Sequence, residues 1–152
     1  MGLLGAGAFV GWWDIADGEL ANYEQWHSQE HMRERVGIPG ILRGRRYLVN
    51  GEGPRYLVTY EVDEVGTLTS DAYLGRLNSP TPWTREVTAT MQGMARTLCR
   101  VTGSFGAGFG SKLLVIRLSP LPGKAETLRQ WLSTEVLSGL VDERGLVSAS
   151  LV

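Results

Sequence analysis

Two histidines, His27 and His31, lie one helical turn apart in the run Asn22 to Tyr47, NYEQWHSQEHMRERVGIPGILRGRRY, and they are the only histidines of the chain. Imidazole is the side chain best able to take up and release a proton near neutral pH, so acid–base chemistry starts from this pair. The run His27-Ser28-Gln29-Glu30-His31 also matches H-x-x-E-H, in which two histidines hold zinc and the glutamate is a general base. That chemistry needs a third ligand, and Glu86 is the obvious carboxylate on another expected helix. His27, Glu30 and His31 therefore stand as the metal set if there is one, and His27 with His31 as the catalytic pair if there is none. The structural alternative is that both imidazoles hydrogen-bond core groups near the end of the helix.

The same chain supplies a comparison. A shift of 105 positions places Gln25 on Gln130, Trp26 on Trp131, Glu30 on Glu135 and Gly40 on Gly145 without a gap. In the later copy one helical stripe reads Leu128, Leu132, Val136 and Leu140, as a helix lying on an apolar sheet requires. In the earlier copy the stripe reads Tyr23, His27, His31 and Arg35. Polar groups turned towards a sheet are costly unless they are hydrogen-bonded or face a wet cavity, and the substitution implies a pocket. Glu135 keeps the place of Glu30 in a copy without histidines, which argues against a purely catalytic Glu30. Trp26 and Trp131 hold equivalent places, as a packing role between helix and sheet would require.

The strand expected after this helix carries candidate partners. Alternation sets Ile41, Arg43, Arg45, Tyr47 and Val49 on one face and Leu42, Gly44, Arg46 and Leu48 on the other. A guanidinium from Arg43 or Arg45 could clamp a carboxylate or an enolate, with Tyr47 donating to the same oxygen, so Tyr23, Arg35, Arg43, Arg45 and Tyr47 form the candidate substrate-binding set. The alternative is that at least one arginine pairs with a carboxylate such as Glu61 on the next strand.

These residues need a scaffold, and the pattern supplies one. A strand at Ala8–Ile15 is followed by a helix from Gly18 to Val36, with Asp17 as its expected N-cap and Gly37 and Pro39 as its stop. Strands at Ile41–Val49 and Arg55–Val62 flank a glycine-rich hairpin. Helical turns over Val65–Leu77 and Trp83–Met94 lead to a strand at Arg96–Val101. Strand, helix, strand, strand, helix, strand is the order of an α+β, ferredoxin-like unit: a four-stranded antiparallel sheet with helices on one face. The division expected is 1–102 as that unit, 103–111 as a glycine-rich linker and 112–152 as a partial second repeat: strand Lys112–Leu118, helix Lys124–Leu140 and strand Leu146–Val152. The repeat stops before the strand that would separate its first two. A shortened two-unit protein, or a partner chain filling the gap, would account for this.

Composition narrows the function classes. At 152 residues, 43% of them hydrophobic, the chain can bury a sizeable core. A net charge of -1, with Arg43, Arg45 and Arg46 as its densest basic cluster, gives no footprint for nucleic acid or an anionic membrane. Cys99 is the single cysteine, which excludes an intrachain disulfide and fits a cytoplasmic setting. The apolar start MGLLGAGAFVGWW lacks a basic n-region and runs directly into Asp14 and Asp17, so a strand is expected there rather than a signal or a membrane span. The glycines at 5–7 and 106–110 precede strands, not helices, which leaves no dipole-backed phosphate cradle.

The run from Trp26-His27 through Glu30-His31 to Pro39-Gly40, between the first two strands of such a unit, resembles the dimeric alpha+beta barrel superfamily, particularly its EthD-like branch. The resemblance covers about residues 8 to 101. It implies sheets packed face to face, a homo-oligomer (dimer or higher) and a small-molecule ligand held between sheet and helices. Its members include isomerases, cofactor-free monooxygenases and haem enzymes. No cofactor is expected, with metal or haem left open, and the implied activity is acid–base chemistry on an apolar or aromatic carbonyl or acid ligand. A non-catalytic ligand-binding or assembly module is the alternative.

Overall fold

In the computed structural model, which describes residues 2–152, the chain divides into two compact units, one of them Gly5–Arg100 and the other built mainly from Val101–Val152. The first unit runs β1 (Gly7–Ile15), α1 (Leu20–Trp26), a π-helical turn (His27–His31), α2 (Met32–Val36), β2 (Ile41–Leu48) and β3 (Tyr56–Val62). A 3-10 turn (Val65–Thr69), α3 (Asp71–Asn78), α4 (Pro82–Thr88) and β4 (Met91–Arg100) complete it. The four strands form one antiparallel sheet in the order β2-β3-β1-β4. This is the ferredoxin-like arrangement, in which β3 separates the two strands joined by the first helix.

Aromatic residues fill the space between sheet and helices. Tyr23 and Trp26 from α1 and Tyr56 from β3 are fully buried, with Trp13 and Tyr60 nearly so. The Tyr23 ring lies 4.5 Å from Tyr56 and 6.0 Å from Trp26, centroid to centroid. Burying a large apolar side chain contributes roughly 1.5–3 kcal/mol, so this cluster fixes the helix on the sheet. On β2, a Cβ at Gly44 would collide with the Met32 sulfur and the Tyr60 ring, so only glycine lets α2 and β3 approach at this point.

Several boundaries differ from expectation. The long helix starts at Leu20; its N-cap residue is Glu19, with no side-chain cap, while Gly18 turns at a φ of +87°. Asp17 is therefore not the cap. The segment Met91–Met94, expected as helix, is strand: β4 pairs with β1 down to Ile15↔Met91. The register shifts between Trp12 and Asp14, opposite Gly93 with φ of +58°. A glycine bulge adds one residue on β4 and re-aims its side chains, which breaks the alternation that marks a strand in sequence.

In the other unit, β5 (Gly103–Gly106) pairs antiparallel with β6 (Ser148–Leu151), so part of the stretch expected as a linker is strand. Between them lie α5 (Ala125–Trp131), a second π-helical turn (Leu132–Val136) and α6 (Leu137–Leu140). The strand expected at Lys112–Leu118 does not form; β6 has taken β5 as its partner, and Leu114 and Ile116 are 81% and 70% exposed. Trp131 differs from Trp26 accordingly, being 48% exposed where Trp26 is fully buried. No helix among the described residues is long and apolar enough to cross a membrane.

Candidate functional site

The helical stripe turns towards the sheet as expected: Tyr23, His27 and Arg35 are buried and His31 is half-buried. The two histidines bracket the π-helical turn, where the amide of Met32 donates to the carbonyl of His27, and their rings sit 5.5 Å apart. Such turns insert one residue into a helix and are frequent at functional sites. Here the turn alone is not diagnostic, because the histidine-free helix has one at the corresponding place, Leu132–Val136.

A cavity of about 240 Å³ opens between this helix, the sheet, α3 and α4, all within the first unit. His31 and Arg35 line it together with Tyr60 of β3, Arg76 of α3 and Arg96 of β4. Trp26 forms part of its floor, its ring 4.4 Å from that of His31. The Trp26 indole donates to Thr84 Oγ1 at 3.1 Å, and Thr84 and Thr81 donate to Glu30 Oε1 at 2.9 and 2.6 Å. Glu30 thus ties the helix to the start of α4. Its carboxylate is engaged by hydroxyls, and no group of three metal-binding side chains occurs among the described residues.

Three residues that line this cavity each carry a buried polar atom without a protein hydrogen-bond partner: His31 Nδ1, Arg35 Nη1 and Tyr60 Oη. His27 Nε2 is a fourth, but His27 does not line the cavity. An orphan of this kind that stays dry costs about 1–3 kcal/mol, so these groups are available to hydrogen-bond water or a ligand entering the cavity. Arg35 is held by its neighbour Tyr73, over whose ring its guanidinium lies at 5.3 Å.

The electrostatics follow from burial. Desolvation lowers the His27 pKa to about 3, with the Arg46 guanidinium adding to the effect. Burial, then the charges of Arg35 and His27, holds His31 well below the usual histidine range. Burial also raises the Tyr60 phenol, which Arg35 partly opposes. At neutral pH the cavity wall carries the neutral imidazole of His31, the protonated Tyr60 phenol and the Arg35 guanidinium, while neutral His27 lies outside the lining. A neutral imidazole beside a fixed cation can accept a proton, and a neutral phenol can donate one.

The remaining candidates lie elsewhere. Tyr23 accepts from the Trp13 indole at 3.0 Å inside the aromatic core and does not line the cavity. Pairing across the sheet sets Gly44 beside Tyr60, so the face of β2 that meets the cavity side is that of Gly44 and Arg46. Arg43, Arg45 and Tyr47 are on the opposite face, away from the histidines. Arg43 makes a two-pronged ion pair there with buried Glu61, at 2.8 and 2.6 Å. Arg46, on the helix side, reaches the Glu24 carbonyl and Ser28. Sequence reasoning missed Tyr60, Arg76 and Arg96. Alternation along β3 places Tyr60 with Tyr56 and Val58, a signal that was readable; the two arginines come from distant elements and left none.

No protein-family model matches the sequence, and no curated protein does. Solved structures do match in fold. A dimeric ferredoxin-like protein from an uncultured marine organism superposes with a TM-score of 0.53 at 14% identity, over 67% of this chain and 92% of that one. SnoaB, a cofactor-independent oxygenase from Streptomyces nogalater, gives a TM-score of 0.46 at 13% identity, over 63% of this chain and 92% of its own. A MhuD variant with two manganese protoporphyrin IX molecules bound per active site gives 0.48 at 13%, over 66% and 99%. At 14% identity the likeness to the first of these is one of fold: this chain has the ferredoxin-like α+β architecture.

Proposed function

We propose that the chain is an EthD-like small-molecule enzyme that performs acid–base chemistry on an apolar or aromatic ligand carrying a carbonyl or acid group. The observation that carries this reading is the convergence of His31 Nδ1, Arg35 Nη1 and Tyr60 Oη, buried and unpartnered, on one cavity. The Arg35 guanidinium binds the ligand's anionic oxygen in a charge-assisted hydrogen bond. His31, neutral before binding, takes a proton from the carbon next to the carbonyl, and the Tyr60 hydroxyl donates to the enolate oxygen as charge develops there. The incoming anion offsets the charge of Arg35, which raises the basicity of His31 at the moment it is needed. His27 is the neutral ring behind His31 that keeps it in place. Trp13, Trp26 and Phe9 give the cavity its apolar walls.

Phenylpyruvate carries an aromatic ring, a carbonyl and a carboxylate, and its deuterium exchange at the carbon beside the carbonyl is followed by proton NMR. Added protein should accelerate that exchange. His31→Val, which installs the residue of the corresponding helix position, should lower the acceleration by about 10²-fold or more, with Arg35→Met also impaired and Tyr47→Phe, on the far face of β2, unaffected. Equal exchange by the parent protein and His31→Val would contradict proton transfer by His31. Binding of phenylpyruvate without any acceleration would favour a non-catalytic binding module.

A further inference from the structure

A second cleft, of about 260 Å³, adjoins the first and shares Phe9, Tyr73, Leu77 and Arg96 with it as common wall. Its remaining lining is Leu68, Leu74 and Leu98, all aliphatic. Leu74, Leu77 and Leu98 are 38%, 37% and 44% exposed, an apolar cluster left open to water on α3 and β4. Either cleft alone is smaller than the roughly 300–1,000 Å³ of an ordinary small-molecule site, whereas the two together fall inside that range. The first cleft has a polar, cationic end and the second has none apart from Arg96, whose aliphatic stem can lie along an apolar ligand while its head stays in water.

We propose that the ligand of this site is a medium-chain monocarboxylate, with its carboxylate on Arg35, the adjoining carbons beside His31 and Tyr60, and its hydrocarbon body in the leucine-lined cleft. The proposal rests on the reading of the first cleft as an anion site. A single negative charge is favoured because Arg35 is the one buried cation facing the cavity; Arg76 and Arg96 are exposed and hydrated, and Glu34, also at the wall, repels a second charge. A buried ion pair is tolerable when charges match one to one, and a further buried anion is not. The body is aliphatic or flat and apolar because five of the seven residues lining the second cleft are Phe or Leu, and its hydrogen-bonding side chains, Tyr73 and Arg96, lie on the wall shared with the first cleft.

The test is titration calorimetry with butanoate, hexanoate, octanoate and decanoate below their micelle concentrations. Each methylene buried in the leucine cleft should tighten binding by about threefold to fourfold until the cleft is filled. Leu74→Asn, an uncharged polar change at a partly exposed helix position, should reduce the advantage of the longer acids and leave butanoate, too short to reach the leucine cleft, binding as it was. Leu98→Ser provides a second variant, read in the same way, should the first fail to fold. Affinity that is flat across the series while still depending on Arg35 would overturn the two-cleft ligand and leave the anion site standing. No Arg35-dependent binding of any acid would overturn the anion site and this proposal with it.

Discussion

His31 and Arg35 define the site at the scale of single residues, because each combines burial with an unused hydrogen-bonding atom. Their types were legible in the sequence, from the contrast of Tyr23, His27, His31 and Arg35 with the aliphatic stripe of the later helix. What that contrast could not reveal is which of the four meets a cavity. Tyr23 and His27 belong to the packed core, where their rings lie against each other and against Tyr56 and Trp26. For His27 the burial has a thermodynamic consequence. Its folded pKa of about 3 lies below the unfolded value of 6.5, so below pH 6.5 the unfolded chain binds the proton that the folded chain refuses. Stability supported by neutral His27 is thus intact above pH 6.5 and is lost as pH falls towards 3, by about 1.4 kcal/mol per pH unit inside that window. His27→Leu should therefore flatten the fall in urea midpoint between pH 6.5 and 4 relative to the parent protein. Equal slopes would show that His27 is not buried in its neutral form.

At the scale of elements, β2 and β4 set the limits of sequence reading. Alternation divides β2 correctly from Arg43 onward, but a register shift between Ile41 and Arg43 turns Ile41 to the core beside Val62 instead of the face of Arg43 and Arg45. The Arg43–Glu61 pair is the ordinary cross-strand pairing that is the alternative to substrate binding. Which face meets the helices follows from the pairing of Gly44 with Tyr60, a long-range fact that local pattern does not contain. Gly44→Val should cost about 1–3 kcal/mol by overpacking, because its side chain would displace Met32 and the Tyr60 ring; urea unfolding measures it. A variant as stable as the parent would mean that the helix and sheet are less closely packed here. On β4, the bulge at Gly93 puts Met91, Arg96 and Leu98 on the helix side. A strict two-residue alternation cannot do this, so the start of the strand carries no strand pattern and nothing local marks Arg96 as a cavity residue. The run Lys112–Leu118 shows the opposite error. Its composition suits a strand, but a strand forms only where an edge is available to pair with it.

For the molecule as a whole, the ferredoxin-like order was legible because each element announces itself locally and only a few topologies accept that order. The cavity was not, because it is assembled from residues between Phe9 and Arg96 that meet only on folding. The proposed site rests on the buried polar atoms of His31, Arg35 and Tyr60 that have no hydrogen-bond partner in the protein. The most direct measurement of that claim is an NMR titration of the two histidine rings against pH, with and without phenylpyruvate. Without it, both imidazoles should remain neutral at pH 6. On saturation, the His31 resonances should shift and its titration midpoint should rise, and Arg35→Met should abolish both changes. A His31 already protonated at pH 6 in the free protein, or one whose resonances stay in place at saturating phenylpyruvate, would contradict an anion-binding, proton-accepting site.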